Sequence, residues 1–567
     1  MPDLVIGGRR STFPRPWRAA GIALALLGVV LVVTWFIYRR SVAYEVPAGD
    51  VSGEIVGTQA APGAPPVVSF NGAILEWVGG LAVLRSQGES HALGAAHGRL
   101  LAHELEPVLR ATRPSIAATV SDDGMLGGWT HNMRLAWRWR FIDDGLSDAD
   151  LRWIAGMTRG ADASGVSLSF DDVLRSQAAL DVGTPARGSG ESDRHSLAHS
   201  LTVLGQQAQA PARVWIGRAF SLSGLADGGD SAIPVVQLVK PTGRIAWASV
   251  GWPGQAGVVT GINAQGLAVM VNPARTSDVR PTRTARPIAL LARMVLEQAK
   301  TLDEAIKLVE LTPTLGAALF VIVDGATGKW VVVERTPSKA ITERAPKQSA
   351  FGDVLTTNAL ASDPENDRAR RVLPISRIER AARLVRQPLG EVGAMAALLR
   401  DRRGVDDSPR PAGHRGVIDD GRAQHVAILD PASLQLWVAD PQAGGRMRAF
   451  DLRHELLGEG DRPAPPADIP AEAPSDGHDA DHAILVAARA ELRTAREALA
   501  RGDQRRAAEA CARARARAPS LPEALELEAV IAQARGDESR ARKLFQQWLD
   551  TGADDPVGEQ HARAFAQ

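Results

Sequence analysis

The chain contains a single cysteine, Cys511, among 567 residues. That excludes an intrachain disulfide framework and cysteine-rich zinc sites. Charge of either sign is not in excess: Lys+Arg and Asp+Glu each total 65, so no net field favours nucleic acid or an anionic surface. There is no P-loop and no Gly-x-Ser-x-Gly elbow. His103-Glu-Leu-Glu-Pro107 lacks the second histidine of a zinc-protease helix. His91, His97 and His103 recur at six-residue steps. Each step turns a helix by about 600°, so the three share no face and make no helix-borne metal pair.

A long apolar run is present. Ala19 to Tyr38 holds 20 residues without a charge, and at about 1.5 Å per residue it spans a hydrocarbon core of roughly 30 Å. Arg9, Arg10, Arg15 and Arg18 precede it; Arg39 and Arg40 follow, and then Glu45, Asp50 and Glu54. The positive-inside rule makes 1–18 cytoplasmic, 19–38 a single transmembrane helix, and the remainder exported to the periplasm or cell exterior. Trp17, Trp35 and Tyr38 fall where interfacial aromatics belong. The rival reading is a signal peptide cut after Ser41-Val-Ala43; the long apolar run and the intervening Arg39-Arg40 speak against it.

Beyond the span, 39–69 is rich in Gly, Pro, Ala and Val and reads as a tether. Periodicity predicts helices over Ala92–Val108, Trp137–Phe141, Leu151–Ala161 and, capped by Ser169, Phe170–Leu180. Strands are predicted at Ile233–Val239, Arg244–Val250, Gly257–Gly261 and Leu267–Val271. Helices return at Pro287–Ala299 and Leu302–Glu310. A hairpin follows, Ala318–Asp324 with Trp330–Arg335, then helices at 374–386 and 391–402 and a strand pair, Ala423–Leu429 with Leu434–Asp440. This order predicts an α+β domain over 70–455, not a doubly wound parallel sheet.

Residues 456–483 read as a Pro/acidic linker. His478 and His482 lie there among aspartates, but nothing fixes ligand geometry, so a solvated segment fits better than a metal site. In 484–567, Ala500-Arg-Gly-Asp503 recurs as Ala534-Arg-Gly-Asp537, offset by 34 residues. That is the tetratricopeptide period, and the tail is similar to such helical repeats. Two repeats are fewer than the three or so needed for stability alone, so the tail is expected to dock on the main domain, a partner or another copy. Cys511 reads as a small buried side chain within it.

Several segments in order carry a family resemblance. Leu93-Gly-Ala-Ala-His-Gly-Arg-Leu-Leu101, Leu151-Arg-Trp-Ile-Ala-Gly-Met-Thr-Arg-Gly-Ala-Asp162, Trp252-Pro-Gly254, Gly261-Ile-Asn-Ala-Gln-Gly-Leu267 and Thr357-Asn358 resemble the acyl-coenzyme A:6-aminopenicillanic acid acyltransferase-like proteins, the peptidase C45 family. The resemblance covers roughly 75–452. It implies an N-terminal-nucleophile hydrolase fold, αββα in four layers, and hydrolysis or transfer of an acyl group at an amide without metal or organic cofactor. Active relatives cut their own chain before a cysteine, whose thiol then attacks. The segment matching the family's Cys-Thr-Ser is Ala198-His-Ser-Leu-Thr-Val-Leu-Gly205, with alanine at the cysteine position. The family's Gly-Arg-Asn-x-Asp matches Gly217-Arg-Ala-Phe-Ser221: Arg218 is kept, while Ala219 and Ser221 replace the asparagine and the aspartate.

Three readings follow. The chain is a degenerate enzyme that keeps a binding role; or Ser200 or Ser196 serves as nucleophile; or the chain is a membrane-tethered scaffold acting through its repeats. His199 adjoins Ser200, but neighbours on a strand face opposite ways. Asn263 fits a tight turn or an oxyanion contact. Asn358 offers an amide to the pocket, although the histidine that often follows it in relatives is Ala359 here. Arg218 meets a buried carboxylate or an anionic substrate group, and Trp252-Pro-Gly254 fixes a loop. The expected partners are an amide- or acyl-bearing small molecule, a protein held by the repeats, and the membrane, with no nucleic acid.

Overall fold

The computed structural model describes residues 15–58, 66–117, 127–181, 200–207, 213–221, 233–274, 276, 283–344, 353–355, 375–385, 389, 391–458, 466–471, 478–552 and 554–566. Its strands are β1 (Val56–Thr58), β2 (Val67–Phe70), β3 (Ala73–Val78), β4 (Leu81–Gly88), β5 (Leu201–Gln207), β6 (Arg213–Phe220), β7 (Val235–Pro241), β8 (Trp247–Gly251), β9 (Thr260–Asn263), β10 (Leu267–Ala274), β11 (Ala317–Asp324), β12 (Lys329–Arg335), β13 (Ala340–Arg344), β14 (Asp353–Leu355), β15 (His425–Asp430), β16 (Gln435–Ala439) and β17 (Met447–Asp451). Two helices, α1 (Arg15–Val42) and α4 (Gly127–Trp139), belong to one compact unit. The strands and the remaining helices belong to another, which starts at Val46.

The larger unit has the α+β layering read from the sequence. An 11-stranded sheet runs β1-β2-β3-β4-β7-β8-β9-β10-β11-β12-β13, and a six-stranded sheet runs β14-β5-β6-β15-β16-β17. Pairing is antiparallel except between β4 and β7, which run parallel from Ala82↔Val235 to Gly88↔Pro241. Side chains alternate across each strand, so each sheet has two faces to cover. Leu81, Val236, Leu238, Ile262 and Met270 of the large sheet meet Leu204, Ile216, Leu429 and Val438 of the small one in a shared core. The other face of the small sheet buries Leu201, Val203 and Trp437 against Ala381, Met395 and Leu399, which come from α9 (Ile375–Leu384) and α10 (Val392–Leu399). On the far side of the large sheet lie α2 (Ser90–Leu100), α7 (Ile288–Gln298) and α8 (Leu302–Leu311). The result is an αββα sandwich.

Several helix starts follow from side-chain caps. Ser169 accepts from the Asp172 amide at 3.0 Å, and Thr301 from that of Glu304 at 3.3 Å. Ser147 and Asp150 close a capping box at the start of α5 (Asp148–Ala163). Asp150, buried, also pairs with Arg286 and Arg293.

Glycines let α2 and α5 touch backbone to backbone. A Cβ added at Gly94 would lie 1.9 Å from the Trp153 carbonyl oxygen, and one at Gly98 2.0 Å from that of Met157. Gly156 and Gly160 face the carbonyls of His91 and Ala95 at 2.2 and 2.4 Å in the same sense. This contact explains the glycine spacing of the two segments. Replacing Gly98 with alanine forces the helices apart and is expected to cost at least about 1–3 kcal/mol, the usual penalty of overpacking. Urea unfolding measures it; an unchanged midpoint would mean that the helices separate freely.

Four readings need correction. The tether is not free over its length: β1 lies within 39–69 and pairs with β2, which begins there at Val67. The Arg159 guanidinium donates to the Gly49 carbonyl at 2.8 Å, and Gly49 lies against the His91 ring, where a Cβ would clash. The helix over Ala92–Val108 breaks at Leu101, which separates α2 from α3 (Ala102–Ala117) with φ −116°. The strand at Gly257–Gly261 is displaced to Thr260–Asn263, because the Val258 amide donates to the Ala289 carbonyl at 2.8 Å instead of to a strand. The Pro/acidic segment is partly structured: Ile469 pairs with Met447, and helix begins at His478.

The tail is two helical hairpins and a fifth helix: α11 (His478–Ala500), α12 (Gln504–Arg517), α13 (Pro522–Ala534), α14 (Glu538–Asp550) and α15 (Pro556–Ala566). The repeated Gly-Asp has a physical reason. Gly502 and Gly536 take φ +78° and +77° at the helix ends. Asp503 and Asp537 then cap the next helices through the Arg506 and Arg540 amides at 3.0 and 3.1 Å. Docking is on the main domain. Arg489 donates to the Gly421 and Asp420 carbonyls at 2.6 and 3.0 Å, and Arg415 meets Asp555 at 2.6 Å.

Candidate active site

Sheet pairing gathers polar side chains in the apolar space between the two sheets. Arg218 on β6 points from the small sheet into the large one. Its Nη1 donates to the Val259 carbonyl and, at 3.1 Å, to Thr260 Oγ1; its Nη2 donates to the Val271 carbonyl and, at 3.0 Å, to Asn272 Oδ1. Thr202 on β5 donates to the same Asn272 oxygen at 3.1 Å. Thr260 Oγ1 lies 2.8 Å from His425 Nε2. Since Arg218 can only donate, the Thr260 oxygen accepts from it and shares a further hydrogen bond with His425 Nε2. His425 Nδ1 is a buried atom with no partner among the described residues. The His425 ring stacks on Phe220 at 5.3 Å, Phe220 stacks on Trp252 at 5.7 Å, and the Arg218 guanidinium lies 4.6 Å over Phe220.

The electrostatics are those of a buried cation with no counter-ion among the described residues. Among the described residues Arg218 makes no ion pair, and burial lowers its pKa. Burial first, and the Arg218 charge second, hold His425 well below its ordinary value, so it is neutral. The cluster therefore places one positive charge in a buried region, an arrangement suited to partial negative charge on a ligand. His425 also lines an open pocket, together with Asp419, Gly421, Ala423 and Gln424 of the preceding loop and with Leu399, Arg400 and Met447.

Ser200 is buried immediately before β5, whose first residue pairs with Ala219. Ser221, just past β6, is buried, and its Oγ has no partner among the described residues. Asn263 stands apart from this group, roughly 10 Å along β9 from Thr260. Its Nδ2 donates to the Leu296 and Ala299 carbonyls at 3.0 and 2.8 Å, and its Oδ1 accepts from the Gln265 and Leu267 amides at 3.0 and 3.1 Å. Those bonds use all of its capacity on a turn and a helix end. Ser196, Ala198, His199 and Asn358 lie outside the described residues. Thr260, Asn272 and His425 were not singled out from the sequence. The available signal was a polar residue within an apolar strand, as in Val271-Asn-Pro273, or at its start, as at His425.

Beside Trp252 the loop is clamped through its backbone. His97 Nε2 accepts from the Gly254 amide at 2.9 Å, and Gln177 bonds the Gly254 carbonyl and the Ala256 amide at 2.9 and 2.8 Å. Burial pulls the His97 pKa down to about 4, against about 6.5 in an unfolded chain. Between those values the unfolded chain takes up a proton that the folded one refuses, so stability falls on acidification from pH 6.5 to 4, by up to about 3 kcal/mol from this group. His97→Gln keeps an acceptor for Gly254 and is expected to flatten that part of the stability profile. Equal slopes in both proteins over that range, by urea unfolding, would remove His97 as the cause.

Residues 233–438 match the family model described as acyl-coenzyme A:6-aminopenicillanic acid acyl-transferase. No curated protein matches the chain. Among solved structures, the chain is similar to the Caenorhabditis elegans ortholog of N-acylethanolamine-hydrolyzing acid amidase, at 18% identity and TM-score 0.31 over 41% of this chain and 93% of that one. It is also similar to a variant of the conjugated bile acid hydrolase of Clostridium perfringens, at 14% identity and TM-score 0.25 over 46% and 95%. A second variant of that hydrolase gives 13% identity and TM-score 0.26 over 48% and 98%. Through the matched segment, which runs from the residues leading into β7 to β16, the αββα domain of this chain is similar to the acyl-coenzyme A:6-aminopenicillanic acid acyl-transferase family.

Proposed function

We propose that the chain is a membrane-anchored, exported member of this family that binds an amide- or acyl-bearing small molecule without cleaving it. Ala198 stands where the resemblance puts the nucleophile, and Ser221 where it puts a carboxylate. The observation that carries the reading concerns the only thiol. Cys511 lies in α12, in the helical tail, with Sγ 3.4 Å from the Ala524 carbonyl, and burial pushes its pKa up to about 12. No thiolate is thus available to attack at neutral pH. The binding role rests on the buried Arg218 charge and on the pocket that His425 lines.

The anchor is α1, whose Ile22–Val42 segment is long and apolar enough to cross a membrane; the arginines before it favour a cytoplasmic N-terminus. The tail, with its 34-residue offset, is read as a pair of tetratricopeptide-like repeats.

Intact mass and N-terminal sequencing of the purified protein test the reading. One uncut chain is expected. Two fragments with a new terminus at Ser196, Ser200 or Thr202 would overturn it in favour of a serine or threonine nucleophile. The burial of Ser200 just before β5, the strand whose Thr202 bonds Asn272, is the observation that favours this second reading.

A further inference from the structure

The unit formed by α1 and α4 carries a feature that the proposed function does not use. Tyr38, near the end of the apolar helix, donates its hydroxyl to the Met133 carbonyl at 2.8 Å. Tyr44, just beyond that helix, donates to the Trp139 carbonyl at 2.7 Å. These bonds fix α4 beside the end of α1. Between them the rings form a continuous stack: Trp35 on Tyr38 at 5.7 Å, and Tyr38 on Trp137 at 6.4 Å. Arg39 lies 5.9 Å over Trp35, and Arg140 lies 3.9 Å over Trp137.

If α1 spans the bilayer, its own length sets the depth of α4. Tyr38 is four residues from the end of the span at Val42, about 6 Å of helix rise, which is the headgroup level. There the composition of α4 fits closely. From Trp129 to Arg140 the sequence supplies three tryptophans, a methionine and a leucine, with Arg134, Arg138 and Arg140 and no acidic residue. Indoles prefer that depth, and arginines beside them meet lipid phosphates. Trp137 is 47% exposed. An indole left that open to water is costly, whereas at the interface its exposed face meets acyl chains and glycerol.

We propose that α4 is an interfacial helix, a second membrane contact that reaches the headgroup layer of the exported leaflet and favours anionic lipid. The inference rests on the anchor reading of α1. It predicts that the protein grips the bilayer with a collar of Trp35, Tyr38 and Trp137 backed by three arginines.

The test uses the full chain with Cys511→Ala and one new cysteine, carrying an environment-sensitive fluorophore, in phosphatidylcholine vesicles with or without phosphatidylglycerol. Ala136→Cys reports on α4 with the ring stack intact, and Leu26→Cys reports on α1. The expected result is strong quenching of the Ala136 probe by lipids spin-labelled near the headgroup, with little quenching by aqueous iodide, and deep-lipid quenching at Leu26. Adding Trp137→Ala, or converting Arg134, Arg138 and Arg140 to glutamine, is expected to raise iodide quenching at position 136 several-fold; for the arginine variant the rise should be confined to phosphatidylglycerol vesicles. An Ala136 probe open to iodide while Leu26 stays deep would overturn the inference and leave the anchor standing. A Leu26 probe open to iodide would overturn the anchor reading, and the inference with it.

Discussion

Replacing Glu523 with alanine is expected to cost about 3–5 kcal/mol, because it leaves arginines buried without their counter-charge. The Glu523 carboxylate, at the start of α13, meets Arg422 at 2.6 Å, Arg489 at 3.3 Å and Arg496 at 3.9 Å. Arg489 is buried and Arg422 nearly so, and these arginines hold the Glu523 carboxyl well below the usual carboxylate range. A depressed carboxylate contributes stability above its unfolded pKa of about 4.3 and loses that contribution as pH falls below it toward the folded value. The wild-type tail should therefore loosen on acidification below about pH 4.3, and the alanine variant should show less of that dependence. Exchanging Arg489 and Glu523 together for methionine and leucine is expected to recover most of the loss, since a matched apolar pair removes the unpaired charge. Urea unfolding distinguishes the single from the double variant. A single variant as stable as wild type would show that the pair is worth nothing in this setting.

The effect should also reach the candidate site. Arg489 holds the Asp420 and Gly421 carbonyls, and the same short loop ends with Gln424, whose amide donates to the Phe220 carbonyl at 2.7 Å, and with His425. Loosening α13 frees the loop that walls the pocket. Hydrogen exchange at Gln424 and His425 is expected to speed up in Glu523→Ala while the amides of β11 and β12 keep their protection. Unchanged exchange at 424–425 would separate the tail from the site.

What the sequence reveals about the fold divides along a physical line. Strands buried on both faces, such as Val331–Val333 and Ala318–Val323, stand out because every position is apolar, and Ser169 and Thr301 mark helix starts by local chemistry. The 34-residue repeat is likewise local, an αL glycine followed by a capping aspartate. What depends on distant partners is hidden. β3 and β4 precede the helices and take their meaning from the parallel contact with β7, far along the chain. The Leu101 break in the first helix and the displacement of β9 to Thr260–Asn263 are imposed by tertiary neighbours. The tether reading failed for the same reason, since composition says nothing of Gly49 lying under His91.

The site was legible only in part. Arg218 stood out as the retained member of a depleted motif, but its role as a tie between the sheets, through the Val259 and Val271 carbonyls, needs the third dimension. Asn263 and Asn272 are both polar residues in an apolar stretch. The first spends its amide on a turn and a helix end, the second on Arg218 and Thr202. Nothing in the one-dimensional pattern separates them. His425 starts an apolar strand, which makes it conspicuous, but its partner Thr260 lies on the other sheet.

The second large effect is a gain. If the chain is inert because Ala198 supplies no nucleophile, a thiol at that position should start the self-cleavage that the resemblance implies. The background for the experiment already exists. Cys511 is buried with its pKa pushed up to about 12, so it resists alkylation, and Cys511→Ala removes it altogether. In that background Ala198→Cys is the only thiol of the chain, and a substoichiometric reaction with iodoacetamide reports its thiolate directly. Ser221→Asp returns the carboxylate that the resemblance places after β6. A single well-placed catalytic group contributes about 10²–10⁴-fold, so the expected order of self-cleavage is none in wild type, slow in Ala198→Cys and faster in the double variant. Mass spectrometry should find the cut immediately before residue 198, and the new fragment should begin with the cysteine. Burying an aspartate at position 221 carries its own stability cost, so the unfolding midpoint of each variant is measured alongside. A double variant that is folded, carries a reactive thiol and stays uncut would mean that the missing side chains are not what silences the site.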